Sequence, residues 1–276
     1  MSQADLRTAA RRRFHRPSPS LGAMPDALST LRSSVDRLVD LVSPLDDAAI
    51  AEQAYPSEWT IADVLSHLGS GAVIMHRSVD DALAGTTTPG HFNQGIWDDW
   101  NAKSPRAKVD DSLAADAALV ARLDAVSPED RARFRSSLGP FDLDWDTFVG
   151  LRVNEHLLHE WDVAVTLDPT AVLAPDGAAF VVDNLGLVGR FAAKPSGDPG
   201  TITIGTTDPE RSFAVTLRAD AVSFTRADGA GQPDASMPAE SLVRLVYGRL
   251  DPDHTPPTVA VPAATIDRLR AVFPGF

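Results

Sequence analysis

The sequence predicts an α+β fold, in which an N-terminal four-helix bundle is followed by a smaller C-terminal α/β domain with an antiparallel sheet. Two observations lead to this prediction. Apolar residues recur at helical spacing in four long segments before residue 168. Beyond residue 200, short segments alternate apolar and polar residues between turn-rich borders, as strands do. Four long helices in succession are typical of a bundle.

The four predicted long helices cover residues 25–42, 60–84, 109–126 and 146–167. Thr60 and Asp63 form a capping box that begins the second helix. Residues 91–104 are predicted to form a short helix that covers a pocket. The segment 138–145 is expected to be a loop with a brief extended piece.

The C-terminal pattern predicts a helix over 176–193, strands over 201–204, 213–217 and 221–225, a helix from Pro238 through Leu250, a last strand over 258–261 and a closing helix over 263–273. The character of the sequence changes near residues 168–176. We therefore expect a bundle over 24–170 and a C-terminal domain over 171–276.

The first 23 residues are expected to be a disordered basic leader. They contain five arginines and a single acid, Asp5, and they lack the apolar core of a secretory signal. Met24 opens the first amphipathic segment and is a candidate start. With no targeting signal, the cytoplasm is the expected location.

Composition narrows the range of functions. The chain has 276 residues, of which 43% are hydrophobic and 23% charged, as in a soluble globular protein. No apolar run is long enough for a bilayer, and a formal net charge of −13 argues against a nucleic-acid surface. The absence of cysteine excludes disulfides, thiolate ligands and a cysteine nucleophile. We expect small-molecule partners, neither nucleic acid nor a membrane, and a monomer in preference to an oligomer.

The fourth predicted helix contains a candidate metal-binding pair. Glu155 and His159 are four residues apart, so their side chains share one helix face. Leu151 and Leu158 share that stripe, which suggests that the face points inward. A buried carboxylate is costly unless it is paired or bound to a metal.

A third ligand is available from the second helix, where His67 lies at the edge of the apolar stripe. Two imidazoles and one carboxylate suit a catalytic zinc that keeps a fourth position open, although other divalent ions accept the same ligands. Asp162 is placed to accept a hydrogen bond from a ligand imidazole. Arg152 is placed either to anchor an anionic group or to pair with an acid.

A competing pair, His156 with Glu160, is displaced by one residue. It lies about 100° around the helix from the first pair. Polarity alone does not choose between the two faces.

Two segments resemble the mycothiol-dependent maleylpyruvate isomerase family. They are Trp59-Thr-Ile-Ala-Asp-Val-Leu-Ser-His67-Leu and, far downstream, Arg152-x-x-Glu155-x-x-x-His159-x-Trp-Asp162-Val. The resemblance implies a DinB-like metal-binding bundle followed by a sterol-carrier-like domain. By position it assigns the metal ligands to His67, Glu155 and His159, and so favours them over His156 and Glu160.

The resemblance also implies a catalytic arginine near the end of the penultimate helix. Arg249, in Leu245-Val-Tyr-Gly-Arg-Leu250, is the best match, and Arg244 is the weaker option. Arg249 would orient a substrate carboxylate, while Arg152 and Asp162 would support the thiol and metal site.

The activity implied by the resemblance needs a divalent metal, zinc by preference, and an external thiol, mycothiol. The reaction would be a cis–trans isomerisation of the maleylpyruvate type or a thiol S-transfer to a small electrophile. Two alternatives remain open at this point. One is a hydrolase that uses metal-activated water with Asp162 or His91 as base, and the other is a non-catalytic protein that binds a small ligand.

Overall fold

The structure is a computed structural model that describes residues 26–275, except for residues 139, 140 and 230. The predicted basic leader and Met24 lie outside the described residues. Within the described part of the chain, none of the helices combines the length and the apolar character that crossing a membrane requires.

The first half of the chain is helical, with α1 at Ala27–Val42, α2 at Ile61–Ala84, α3 at Phe92–Asn101, α4 at Pro105–Asp124, α5 at Pro128–Arg133 and α6 at Trp145–Leu167. The predicted bundle is confirmed, because α1, α2, α4 and α6 are its four long helices. The capping box of Thr60 and Asp63 begins α2 as expected. Helix α4 begins four residues earlier than predicted, because Ser104 caps it and Pro105 occupies its first position.

Two short elements of this half were not fully anticipated. Helix α5 was not predicted, and the expected extended piece is an antiparallel pair of strands, β1 (Ser136–Leu138) and β2 (Phe141–Leu143). The predicted cover helix is α3, which packs on α2. The Trp100 ring lies where a Cβ at Gly69 would be, so only glycine allows this close approach.

The second half contains α7 at Pro175–Ala192, β3 at Gly200–Thr207, β4 at Arg211–Leu217, β5 at Val222–Arg226, β6 at Ala235–Pro238, α8 at Ala239–Val246 and α9 at Ala263–Val272. The sheet order is β5-β4-β3-β6. Strands β3, β4 and β5 are antiparallel, as predicted, whereas β6 adds to β3 in parallel.

Two expectations for this half were wrong. The predicted strand over 258–261 is reduced to one bridge between Ala260 and Ser236, because the flanking prolines provide no amide hydrogen for a ladder. Helix α8 stops at Val246, and Gly248 follows with φ +70°. Arg249 therefore lies in the loop after the helix instead of within it.

The apolar core runs without a break from the bundle into the C-terminal half. Val153 and Leu157 of α6 belong to the same buried cluster as Leu242 and Val246 of α8. Helix α7 begins at Pro175, within the predicted boundary region. The division into two domains stays a prediction, since this continuous core crosses it.

A buried ion pair fixes α6 against its neighbours. Arg152 of α6 donates to the carbonyl oxygen of Leu68 on α2 at 2.8 Å and to the carboxylate of Asp116 on α4. Both charged side chains are almost completely buried. His156 joins the cluster, with its Nε2 3.4 Å from Asp116 Oδ2. Because Leu68 follows His67, this contact sets the position of α6 relative to the candidate ligand on α2.

The positive charges around Asp116 favour its ionised form. Burial by itself raises the pKa of Asp116, but the charges of Arg152 and His156 outweigh it and lower the pKa below its usual value. The carboxylate is therefore ionised wherever the protein is folded near neutral pH.

Removing the acid should destabilise the fold strongly. We expect Asp116→Asn to lower the free energy of unfolding by roughly 3–5 kcal/mol, because Arg152 is left as an unpaired buried charge. Urea unfolding at neutral pH measures this loss. The matched control is Asp124→Asn, which breaks the exposed pair with Arg32 and should cost less than about 1 kcal/mol.

The destabilisation should also depend on pH. The pKa of Asp116 is lower in the folded state, so its stabilising effect is present above its unfolded pKa of about 3.9. It is lost as the pH falls through the folded pKa. The gap between wild type and Asp116→Asn should therefore narrow in acid. A gap that is constant with pH, or no larger than that of the control, would contradict this account.

Candidate metal centre

The three side chains assigned as ligands come together in the structure. His67 from α2 and Glu155 and His159 from α6 each offer a ligand atom, and these atoms lie within 4.8 Å of one another. His67 Nε2 is 3.1 Å from Glu155 Oε2, and His159 Nε2 is 3.7 Å from the same oxygen. Ligand distances of about 2.0–2.2 Å around tetrahedral zinc place neighbouring donor atoms roughly 3.4 Å apart. The spacing therefore suits one shared cation.

The cluster is buried on one side and open on the other. The His159 side chain is only 11% exposed, whereas those of His67 and Glu155 are 40% and 50% exposed. The opening gives an external molecule access to the centre, which a closed structural site would not.

Trp59, which lies just before α2, packs against both imidazoles. Its ring centroid is 5.1 Å from that of His67 and 5.8 Å from that of His159. The ring forms an apolar wall beside the cluster and restricts the two imidazoles.

Asp162 connects the cluster to the C-terminal half. Its carboxylate is completely buried and accepts a hydrogen bond from His159 Nδ1 at 2.8 Å. Arg249 donates to the same carboxylate twice, through Nε and Nη2, each at 2.7 Å. Since an ionised carboxylate only accepts, Nδ1 of His159 carries the proton and Nε2 is free to bind a metal.

The charges favour the protonation states that metal binding needs. Desolvation lowers the pKa of His159, so the imidazole is neutral at neutral pH. Desolvation alone would raise the pKa of Glu155, but the hydrogen bond with His67 and the nearby positive charges lower it to about 2. The centre therefore offers the neutral imidazole of His159 and the carboxylate of Glu155 beside the imidazole of His67.

Three other residues that were considered for the site, Arg152, Arg244 and His91, are not part of the ligand cluster. Arg152 pairs with Asp116 in the core, which corresponds to the second of the two roles expected of it. Arg244 is also buried, held by Glu240. His91 lies exposed at the start of α3.

The competing pair faces away from the centre. Glu160 accepts hydrogen bonds from Ser34 and Arg37 of α1, and His156 lies in the core beside Ser34. Both faces of α6 are therefore polar, which explains why polarity alone could not choose between them.

Sequence reasoning missed several polar residues in the loops that adjoin Asp162. The loop before α2 contributes Tyr55, whose hydroxyl donates to Asp251 at 2.8 Å, and His254 Nδ1 lies 2.8 Å from the same carboxylate oxygen. The one available signal was the spacing Asp251-x-x-His254, which places both side chains on one turn.

Comparison with known proteins finds a family model that matches the helical half of the chain. Residues 31–164 match the model of the mycothiol maleylpyruvate isomerase N-terminal domain. This match covers most of the helical half of the chain and includes both motifs. The resemblance inferred from the two motifs is thereby confirmed.

Solved structures extend the likeness to the C-terminal half. The crystal structures of the mycothiol-dependent maleylpyruvate isomerase and of a mutant with one histidine replaced by alanine each match with a TM-score of 0.60 and 15% sequence identity. Each match covers 81% of this chain and 88% of the other. At this identity the match shows a shared fold. A search of curated proteins finds no match.

Metal binding is the direct test of the centre. We expect the full chain to bind about one zinc ion, and His67→Ala or His159→Ala to weaken binding by at least about 100-fold, because each removes a ligand. Calorimetric titration with zinc measures both. The control is His76→Ala, on the same helix as His67, whose side chain pairs with Asp80 instead. Equal affinity of all three variants would exclude this centre.

Proposed function

We propose that this protein is a metal-dependent isomerase of the maleylpyruvate type, which uses an external low-molecular-weight thiol, mycothiol, as cosubstrate. The observation that carries the proposal is the His67–Glu155–His159 cluster, within 4.8 Å and open to solvent. All three residues belong to the segment that matches the family.

The donor set fits a divalent cation such as zinc. Two imidazoles with a carboxylate provide three ligands, which is the number typical of catalytic zinc. A cation held there would supply a Lewis-acid position at which an external thiol is kept as the thiolate. Because the chain contains no cysteine, a thiol nucleophile has to come from outside.

The reaction itself requires no net proton. The thiolate adds to the electron-poor double bond of the substrate, which forms a C–S bond and moves the π electrons onto the adjacent carbonyl oxygen. Rotation about the new single bond and expulsion of the same thiolate then restore the double bond in the trans form. An S-transferase would instead release the thioether after protonation of the adduct.

The residues of the chain position this chemistry. Asp162 fixes the orientation and tautomer of His159, and Trp59 lines the cleft beside both imidazoles. The exposed edges of His67 and Glu155 leave room for the two substrates. Holding the reactants close in one cleft is a large part of what such a site contributes to the rate.

Arg249 takes a different role in this proposal from the expected one. Its Nε and Nη2 are bound to Asp162, and its Nη1 donates to the carbonyl oxygen of Tyr247 at 3.2 Å. The Nε–Nη2 edge, one of the two edges through which a guanidinium binds a carboxylate in bidentate fashion, is therefore occupied by Asp162. We therefore assign Arg249 as a positioning residue that acts through Asp162.

No observation favours the alternative in which metal-activated water performs hydrolysis. Its expected base, Asp162, is completely buried and paired with Arg249 and His159. The other expected base, His91, is exposed at the start of α3.

Turnover should depend on both the metal and the thiol. We expect the zinc-loaded protein to convert maleylpyruvate to its trans isomer only when mycothiol is present, and His67→Ala to lower kcat/KM by at least about 100-fold. The change in ultraviolet absorbance of the substrate follows the reaction, and His76→Ala serves as control. Turnover that is indifferent to thiol would contradict the proposal, and accumulation of a thioether would favour the S-transferase.

Arg249 variants separate a positioning role from direct substrate contact. We expect Arg249→Ala to weaken zinc binding by about 10- to 100-fold, because Asp162 then loses the partner that holds it against His159. Arg249→Lys should restore little of this, since an ammonium does not reproduce a bidentate contact. Zinc titration and steady-state kinetics measure the two effects, with the exposed Arg190→Ala as control. Unchanged zinc affinity with a raised KM would instead indicate direct contact with the substrate.

A further inference from the structure

Helix α6 carries a second imidazole and carboxylate that the metal centre does not use. His156 and Glu160 have the same four-residue spacing as the ligand pair, and they lie about 100° further around the helix. Arg152 precedes His156 by four residues and extends the same face. We call Arg152, His156 and Glu160 the anchoring stripe. A rotation of α6 by one residue would bring this stripe to the position that the ligands occupy.

The anchoring stripe has no access to a substrate. Ser34 Oγ lies 2.7 Å from His156 Nδ1, and His156 Nε2 lies 3.4 Å from Asp116 Oδ2, in the order of a catalytic triad. All three of these residues are at most 1% exposed. The Ser34 hydroxyl donates its proton to Glu160, so the imidazole does not activate it as a nucleophile. The cluster therefore holds the structure and performs no chemistry on a ligand.

Helix α1 holds the outer end of the stripe. Arg37 Nε donates to Glu160 Oε1 at 2.8 Å, and its Nη2 donates to Glu160 Oε2 at 3.4 Å. Its Nη1 donates to both carboxylate oxygens of Asp176 on α7, each at 3.2 Å. One guanidinium thus connects α1, α6 and α7, which its planar arrangement of donors allows. The Glu160 side chain is only 12% exposed, so this pair is shielded from solvent more than a surface pair is.

The stripe is held at both ends, since α2 and α4 bind Arg152 and α1 binds Glu160. These residues are eight positions apart, which corresponds to about 12 Å along the helix axis. Apolar cores tolerate repacking, whereas hydrogen-bonded charges have fixed partners. A rotation by one residue would turn Val153 and Leu157 towards Asp116. That buried carboxylate would then lack a partner, at a large cost in free energy.

We propose that Arg37 and Glu160 are positioning residues of the metal centre, which hold α6 in the rotation that directs its ligand pair towards His67. Because Glu160 follows His159 directly, a shift of α6 at this point moves the imidazole and its hydrogen bond to Asp162. The use of the centre for thiol-dependent chemistry rests on the proposed function.

The ring signals of the histidines test the rotation without metal or thiol. In the metal-free full chain, labelled with ¹⁵N at the histidine nitrogens, we expect Arg37→Ala to shift the ring signals of His67 and His159. The spectra of His67→Ala and His159→Ala assign these signals. The matched control is Arg32→Ala on the same helix, whose guanidinium pairs with Asp124 of α4, and it should leave both signals in place.

Two outcomes of this experiment would overturn the proposal. One is that the signals of His67 and His159 stay in place in Arg37→Ala. The other is that only the signal of His156 changes, which would make the pair a local contact with no effect on the ligands.

Zinc affinity tests the consequence for the centre. We expect Arg37→Ala and Glu160→Ala each to weaken zinc binding by about 3- to 10-fold, less than the loss of a residue that contacts a ligand directly. The double variant should bind about as weakly as either single one, because both changes remove the same contact. Arg37→Lys should recover part of the affinity, since it keeps the charge but not the two-sided contact. Calorimetric titration measures all four variants against Arg32→Ala.

Thermal unfolding separates positioning from a general loss of stability. A lower unfolding temperature in Arg37→Ala, with zinc affinity within twofold of Arg32→Ala, would mean that the pair only stabilises the fold and would overturn the proposal. If Arg37→Ala does not fold, Arg37→Lys provides the same measurements.

The outcome can be told apart from failure of the proposed function. If the ring signals move in Arg37→Ala but the wild type takes up no zinc, the rotation is fixed as proposed and the proposed function is wrong. If the wild type binds zinc and isomerises its substrate while Arg37→Ala changes neither the signals nor the affinity, only the positioning role is wrong.

Discussion

The buried carboxylate of Asp162 is the interaction on which the rest of the site depends. An isolated charge with no exposure would be too costly to keep, and here it is stabilised by a bidentate guanidinium on one side and an imidazole N–H on the other. The first partner, Arg249, comes from the C-terminal half and the second, His159, from the bundle. The ligand geometry is therefore coupled to the docking of the two halves.

Two neighbouring faces of helix α6 carry polar side chains that have different partners. One face directs Glu155 and His159 to the centre, and the next face, a third of a turn away, directs Arg152 and His156 into the core. The core pair with Asp116 holds α6 at a fixed height against α2. A buried ion pair adds little net stability by itself, but here it positions the helix that carries two of the three candidate ligands.

Much of this arrangement could be predicted from the sequence, because local rules decide it. Helical spacing gave the four long helices, and the four-residue spacing of Glu155 and His159 placed them on one face. The family motif was needed to choose them over His156 and Glu160, since both faces are polar. The loop that carries Arg249 could not be predicted. Its course depends on Gly248 and on the contact with Asp162, 87 residues away in sequence.

The contact between the loop before α2 and the loop after α8 could not be predicted for the same reason. Tyr55 and Asp251 are separated by 196 residues, and only the folded chain makes them partners. Strand β6 was not predicted, because it has only four residues and pairs in parallel with β3, about 30 residues earlier in the chain. Such a contact leaves no recognisable pattern in the local sequence. The features that could not be predicted are therefore those that depend on contacts between residues far apart in the sequence.

X-ray absorption spectroscopy of the zinc-loaded protein tests the central claim most directly. The account predicts a first shell with two imidazole nitrogens and one carboxylate oxygen at about 2.0–2.2 Å, and replacement of a light ligand by sulfur at about 2.3 Å when thiol is added. A shell without histidine scattering, or one that does not change with thiol, would contradict it.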